Sequence, residues 1–342
     1  MFGVPSYAAV QAKVRARRSR LLTPSDWRRL LDATTFDRAL DVLALTPHHA
    51  VAEDADHAER ALRQRLHRET IELADDVPHR AGDLLRWFAS RSVVHDLKLL
   101  LRTLHHGSPI LETLDATTLD PSDDARVRAW RAARSVPELI DAVGDTLYGR
   151  ALRSASERYE REDRPFYLEV ALDLTFGRGL VTRIEALGGS DRADAERLLG
   201  RWLARVNLLT AARYRMLAGV RPEQVVAFTL HRDFGGGLAA VQRIAAGAPL
   251  AEEAAQLDVE VPLDLRGERA IRIFEREADR VWRNDADARF GRTPFGLGLP
   301  LAYLIELEAE VQDLVTLLEG KRRHVATDAL RAHLPWGREV TA

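Results

Sequence analysis

Three features of the 342-residue chain predict an all-α protein. Ala, Leu, Arg and Glu dominate the composition, and these residues lose little side-chain freedom in a helix. β-branched and aromatic runs are scarce, which leaves little from which to build a sheet. Apolar residues recur at steps of three and four, the period of one helix face.

The elements come in order along the chain. The first predicted helix runs from about Ser6 to Leu22. Tyr7, Val10 and Val14 form its apolar stripe; Lys13, Arg15, Arg17, Arg18 and Arg20 crowd the rest, with no acid before Asp26. Thr23-Pro24-Ser25-Asp26 reads as a stop and a new start: a Thr cap, Pro at the first helical position and an acid in the first turn. Trp27, Leu30 and Leu31 are the buried face of this second helix. Ser135-Val136-Pro137-Glu138 repeats the device as a capping box ahead of Leu139, Ile140 and Val143. The strongest helices are Ala81 to His105, Ala193 to Leu217 and Leu299 to Glu319. Their stripes are Val93, Leu97, Leu100 and Leu104; then Leu199, Trp202, Val206 and Leu209; then Leu304, Leu307, Val311, Leu314 and Leu318. Gly188-Gly189 separates two helices. Val259 to Leu265 alternates like a strand, but Pro262 makes it an extended linker. Phe234 to Gly237 and Gly291 to Pro300 read as the loosest places.

The three strong helices resemble one another. Val94-His95-Asp96-Leu97, Val206-Asn207-Leu208-Leu209 and Val311-Gln312-Asp313-Leu314 align at spacings of 112 and 105 residues. Upstream, Phe36 to Thr46 matches Val136 to Thr146, with Leu238 to Ala248 as a weaker third copy. Recurrence at a period near 110 predicts triplication of a multi-helix unit. With turn chemistry at Gly107-Ser108-Pro109, Asp120 to Asp123 and Gly219 to Pro222, the units are 1–115, 116–220 and 221–336.

Composition excludes several classes. With 50 basic and 52 acidic residues the net charge is −2, so there is no whole-molecule basic field for nucleic acid. The absence of Cys excludes disulfides and thiolate metal sites; it fits a reducing compartment without fixing one. No stretch approaches the roughly 20 apolar residues that cross a bilayer, and Met1 to Arg20 lacks an apolar signal core. Membrane association is therefore expected only through a partner.

Motifs for chemistry are missing. There is no phosphate-binding loop before a Lys and a hydroxyl residue; Gly320-Lys321 continues into Arg322. Gly235 to Gly237 reads as a flexible turn. His48-His49 and His105-His106 are adjacent pairs without metal-ligand spacing and read as solvated. Asp54, Asp56, Asp75-Asp76, Glu252 and Glu253 read as solvated faces, and no G-x-S-x-G occurs. No catalytic residue, cofactor or metal is expected. The basic run is the exception. Lys13, Arg17 and Arg20 share one stripe at i, i+4 and i+7, and a second basic cluster, Lys321-Arg322-Arg323-His324, follows the last long helix, with Arg322 and Arg323 as its candidates. Without aromatic residues to stack on bases, these cations suit an acidic protein surface, or simply water and the helix C-terminal dipole.

At this point the residues resemble a known family. Tyr7-Ala8-Ala9-Val10-Gln11-Ala12-Lys13-Val14-Arg15-Ala16-Arg17, leading to Ser19-Arg20-Leu21-Leu22, is similar to the start of the C subunit of bacterial and archaeal V-type (A-type) ATPases, the homologue of the eukaryotic d subunit. Leu40 to Thr46 resembles a Leu-x-x-Thr-x-Tyr turn of the family; His48 replaces the Tyr, which Thr146-Leu147-Tyr148 keeps. Pro294 to Tyr303, then Glu306, Glu308 to Leu314 and Gly320-Lys321, is similar to the family's last long helix, although Asp313-Leu314-Val315 stands where Asn-Leu-Arg is common. The resemblance implies three similar helical subdomains arranged as a funnel on the cytoplasmic side of a proteolipid rotor ring. The central stalk inserts into the funnel and torque passes through it, coupling ATP hydrolysis or synthesis to proton or sodium transport. It implies a subunit with no active site and no bound nucleotide, monomeric in isolation. Some of Lys13, Arg17, Arg20, Arg322 and Arg323 are then expected to face a rotor partner, and reversing Arg17 and Arg20 together is expected to weaken assembly with little change in melting. A generic helical scaffold, or a helical enzyme without a recognisable motif, would share the fold class.

Overall fold

The computed structural model describes residues 4–49, 58–108, 125–216, 220–234, 237–291 and 296–334, and no strand occurs among them. Helix α1 (Val4–Arg18) buries Tyr7, Val10 and Val14, the stripe anticipated for it. Thr23 then caps α2 (Pro24–Asp32). Its Oγ1 accepts from the Asp26 N–H at 3.2 Å, and the Asp26 carboxylate accepts from the Thr23 N–H at 3.0 Å. Pro24 has no N–H to satisfy, so two of the three orphan donors at this helix start are thereby paired, and Trp27, Leu30 and Leu31 are buried behind them. Helix α3 (Phe36–Ala44) has Thr35 as its cap.

Helices α4 (Ala58–Asp76), α5 (His79–Ala89) and α6 (Arg91–His105) come next. The sequence predicts one helix from Ala81 to His105; the structure breaks it at Ser90. The Ser90 hydroxyl donates to the Trp87 carbonyl at 2.7 Å, and the Ser90 N–H is shared between the Arg86 and Trp87 carbonyls. A serine that bonds back to the preceding turn tightens it and bends the helix.

Beyond them lie α7 (Ala125–Ala132), α8 (Val136–Val143), α9 (Leu147–Glu162) and α10 (Phe166–Ala186). At α8 the Ser135 hydroxyl accepts from the Glu138 N–H at 3.3 Å, but Glu138 reaches back to the Arg134 N–H at 2.9 Å, one residue before the cap. After Gly188-Gly189, α11 (Gly189–Ala195) runs through a π turn (Glu196–Gly200) into α12 (Arg201–Met216). A side chain at Gly200 would place its Cβ 2.7 Å from the Phe234 ring, so the glycine allows the chain to pass there.

The remaining helices are α13 (Pro222–Ala227), α14 (Gly237–Ala246), α15 (Leu250–Ala254), α16 (Gly267–Phe290), α17 (Gly298–Arg322) and α18 (Thr327–His333). Val259 to Leu265 forms no strand, but it is not extended throughout: the Leu265 N–H donates to the Pro262 carbonyl at 3.1 Å and closes a turn, while Val259 and Val261 are buried. Of the two stretches read as loosest, 235–236 and 292–295 lie outside the described residues. The rest is packed, contrary to expectation. Gly237 begins α14 against Ala204. Leu297 and Gly298 donate their N–H groups to the carboxylates of Asp191 and Asp194 at 2.9 and 3.1 Å. Acids of α11 therefore take the orphan donors of α17, a placement its dipole favours.

Helix α17 is buried along most of its length, including the polar Glu310, Asp313 and Lys321. It packs on α16, α4, α1, α3 and α11. Helices α5 and α6 pack on α10, and α12 packs on α16, so the three predicted units touch in turn and α17 returns to the first.

Because α17 is enclosed, its polar side chains need internal partners. Glu306 accepts from Arg18 Nε and Nη2 at 2.8 and 3.0 Å. Glu310 accepts from the Leu22 N–H at 2.6 Å and faces His48 Nε2 at 2.8 Å. Arg65 Nη1 lies 2.8 Å from His48 Nδ1; since guanidinium only donates, Nδ1 accepts and the ring proton sits on Nε2, aimed at Glu310. His48 is thus fully buried, not solvated as its sequence context suggested, because both ring nitrogens are paired. Glu253 departs from expectation in the same way: it is buried under a two-point contact with Arg243, both bonds 2.7 Å. Asp313 pairs with Arg283. Lys321, read as the start of a basic cluster, is buried, and its Nζ donates to the Leu31 carbonyl at 2.7 Å, an orphan acceptor at the end of α2.

Glu310→Ala leaves the Leu22 N–H and His48 Nε2–H without an acceptor. A loss of about 2–5 kcal/mol is expected, read as a lower midpoint in chemical denaturation. Burial pushes the Glu306 carboxyl up to about 7, opposed by Arg18 and aided by Asp287 and Glu310. A carboxyl whose folded pKa lies above its unfolded value favours the fold below the ordinary carboxylate range and withdraws that support as pH rises through about 7. Stability of the native chain should therefore fall, relative to Glu306→Gln, between pH 5 and pH 8. Parallel denaturation curves at those two pH values check this; a constant difference between the two proteins contradicts it.

Candidate functional site

The three aligned segments lie on α6, α12 and α17, and these helices converge on one cavity system. Its larger compartment, about 640 Å³, is lined by Arg63 and His67 of α4, Arg91 and His95 of α6, Arg213 of α12, and Gln312 of α17. A smaller compartment of about 420 Å³ adjoins it and shares Arg91, His95 and Arg213. Asn207, which aligns with His95 and Gln312, lines this second compartment. Its amide exchanges two hydrogen bonds with the Leu230 backbone, 3.0 and 2.9 Å, and so holds the chain beyond α13 against α12.

Charge is concentrated here. Arg91 pairs with Glu308 and Arg213 with Glu275. Lys98 meets Asp173 at 2.8 Å, and Arg102 grips Glu169 with two bonds of 2.6 Å. Each ion pair joins two helices, so the cavity wall is cross-braced. His95 is exposed to the cavity. Desolvation, then the positive charges of Arg63, Lys98, Arg102 and Arg91, depress its pKa to about 4. It is neutral at physiological pH. Arg91 Nη1 is shielded from solvent and has no hydrogen-bond partner among the described residues.

The candidates chosen from the sequence lie elsewhere. Lys13 Nζ donates to Asp76 at 2.5 Å, and Arg17 pairs with Glu72 and lies 3.7 Å from Glu69. Both fasten α1 to α4, which accounts for the basic stripe on α1 without a partner. Arg20 is exposed. Arg322 lies over the Phe36 ring at 4.6 Å, and Arg323, 76% exposed, is 3.3 Å from Glu319. Arg91 and Arg213 escaped sequence reasoning because they sit on separate helices and look like ordinary surface cations. One signal was present: each aligned segment holds a polar residue, His95, Asn207 or Gln312, directly after its apolar Val. A polar residue at a fixed place in three amphipathic copies marks a shared polar lining.

Known proteins share this chain's sequence pattern. The family model described as ATP synthase (C/AC39) subunit matches residues 10–333. Among curated proteins, the chain is 23% identical to the C subunit of the A-type ATP synthase of Methanothermobacter thermautotrophicus, over 92% of this chain and 84% of that one. It is 24% identical to the protein of the same name from Haloferax volcanii, over 96% of this chain and 97% of that one. For Methanocaldococcus jannaschii the figures are 21%, 96% and 86%. With nearly its whole length matched and an all-helical structure in hand, the chain belongs to the ATP synthase (C/AC39) subunit family, the C subunits of A/V-type rotary ATPases.

Proposed function

We propose that this chain is a non-catalytic connector in the rotor of an A/V-type ATPase, a socket that joins the central stalk to the proteolipid ring. The observation that carries the reading is the family match over residues 10–333, in a molecule whose three related helices surround a cavity. The units 1–115, 116–220 and 221–336 are the three walls of a funnel on the cytoplasmic side of the membrane. The stalk enters the cavity side. The ring lies opposite, and the chain is held at the membrane through it; no helix among the described residues is long and apolar enough to cross a bilayer. The subunit binds no nucleotide of its own.

Stiffness is what such a part requires, and close-packed helices braced by interhelical ion pairs supply it. Exposed pairs contribute only about 0–1 kcal/mol each, so their value lies in geometry more than in stability. Of the five cations picked out from the sequence, the exposed Arg20 and Arg323 are the two assigned to a rotor partner. Lys13 and Arg17 serve the α1–α4 contact.

A tagged chain recovered from detergent-solubilised membranes should bring proteolipid ring and central stalk subunits with it. Recovery of neither, from membranes with an intact A/V-type complex, would overturn the reading and leave a helical scaffold. Within that assay, Arg20→Glu with Arg323→Glu should reduce co-recovery while stability stays within about 0.5 kcal/mol, as for surface substitutions. Arg17→Glu, by contrast, places a like charge beside Glu69 and Glu72 and should lower the melting temperature. This revises the expectation that reversal at Arg17 is silent in melting.

A further inference from the structure

The end of the molecule away from the cavity is built from the tips of helix hairpins. Helices α4 and α5 turn at Val77 and Pro78, α10 and α11 turn at Leu187 and Gly188, and α16 ends at Phe290 before α17 starts at Gly298. Contacts of α5 and α6 with α10 give the direction. Arg102 meets Glu169 and Lys98 meets Asp173 beside the cavity. Trp87 Nε1 then donates to the Phe176 carbonyl at 2.8 Å, and Arg80 Nη1 donates to the Ala186 carbonyl at 3.0 Å. Arg80 precedes Arg91 by 11 residues, a path of about 16 Å along a helix. The tips also meet one another. Arg80 ties the first to the second, and Asp191 and Asp194 tie the second to the third through the Leu297 and Gly298 N–H groups.

A cleft of about 410 Å³ opens between the first two tips, lined by Arg80, Asp83, Arg86, Trp87, Thr182 and Arg183. Arg86 is shared between Asp75 at 2.6 Å and Asp83 at 3.5 Å, and Asp83 also faces His79 at 3.0 Å. Neither Arg80 nor Arg183 forms an ion pair among the described residues. Arg80 spends one N–H on the Ala186 carbonyl. Arg183 spends one on the Gly179 carbonyl at 2.9 Å, with its guanidinium over the Trp87 ring at 4.1 Å. A guanidinium carries five N–H donors in a planar fork that matches a carboxylate, so both keep donors in hand. Arg80 is exposed and Arg183 half-buried, so an incoming group can reach them. Three guanidiniums thus meet two carboxylates, and the surplus falls on the unpaired two. The C-terminal dipole of α10 accounts for where these cations sit, but it does not use up their remaining donors. At the junction of the second and third tips, by contrast, charges are spent on one another: Asp194 pairs with Arg289, and Arg192 lies 2.9 Å from Glu196.

We propose that this cleft seats an acidic side chain on a loop of the proteolipid ring, held between Arg80 and Arg183. This rests on the connector reading above, which puts the ring opposite the cavity, and adds the place and the chemistry of the grip. One turn of a helix 10–12 Å across with a 5.4 Å pitch fills about 420–610 Å³, so the cleft takes a side chain on a loop and not a helix. Encounter is steered by charge, and a loop with Lys or Arg at that place is repelled. A ring offers the same loop at every subunit, whereas the described residues offer one such seat, between the first two tips. The connector therefore engages one ring subunit at this seat and takes a fixed azimuth on the ring. No match between the symmetry of the three units and that of the ring is needed.

The test uses the full chain with the detergent-solubilised proteolipid ring and the central stalk subunits of its own complex. Arg80→Glu reverses the exposed charge of the cleft. It should bind the ring roughly five- to ten-fold more weakly, since reversal turns an attraction into a repulsion, and its binding should fall less steeply as salt is raised. Its affinity for the stalk should match that of the native chain, because the cleft lies outside the socket. Arg80→Gln keeps a donor for the Ala186 carbonyl and should bind the ring with intermediate strength; it carries the test if Arg80→Glu melts below the native chain. Native-like ring affinity in both variants, or equal losses toward ring and stalk, would overturn the inference and leave the connector reading intact. Failure of the native chain to bind the ring at all would overturn both. Vesicles of anionic phospholipid without the ring give a further arm. If the native chain binds them and Arg80→Glu does not, while ring affinity is equal in the two, the cleft takes a lipid phosphate and the acidic-loop inference falls.

Discussion

A single helix buried along most of its length sets the terms for the rest of this molecule. Helix α17 is enclosed by α1, α3, α4, α11 and α16, yet it carries Glu306, Glu310, Asp313 and Lys321. Each buried charge needs a partner supplied from another helix, and each partner found fixes a relative position. Arg18 locates the end of α1, Leu22 and His48 locate the loops around α2 and α3, Arg283 locates α16, and the Leu31 carbonyl locates the end of α2. Apolar packing alone would tolerate sliding between helices. These directional contacts do not, because a shift of an ångström or two breaks hydrogen bonds that water cannot replace.

This division of labour explains which features were legible in the sequence. The helical class, the capped start of α2 at Thr23, the break at Gly188-Gly189 and the absence of a strand at Pro262 all depend on interactions within a few residues, so they are written locally. Ser90 was missed because a lone serine inside an apolar periodicity looks neutral until its hydroxyl is seen on the Trp87 carbonyl. His48, Glu253 and Lys321 were misjudged for another reason. Each is an ordinary polar residue whose partner lies 262, 10 or 290 positions away. Burial of a charge is a property of the pair, and neither member announces it alone. The same holds for Lys13 and Arg17, whose pattern on α1 was legible but whose acids on α4 made it an internal seam.

The cavity shows both limits together. Its three walls were visible as three aligned segments, and its polar lining was visible as His95, Asn207 and Gln312. The ion pairs of the wall were not, since Arg91, Lys98, Arg102 and Arg213 find their acids on other helices. The interhelical ion pairs brace the wall.

The contact between α1 and α17 has a consequence during synthesis. Arg18 and Glu306 are 288 residues apart. At about 5–20 residues per second, the first helix waits roughly 15–60 s on the ribosome before its partner is made. A 15-residue helix is marginal by itself in water, and the buried face of Tyr7, Val10 and Val14 stays uncovered for that time. Like charge disfavours self-association, and Lys13, Arg15, Arg17, Arg18 and Arg20 put it on the segment that bears this face. The basic stripe that seals a seam in the finished protein thus also protects the unfinished one.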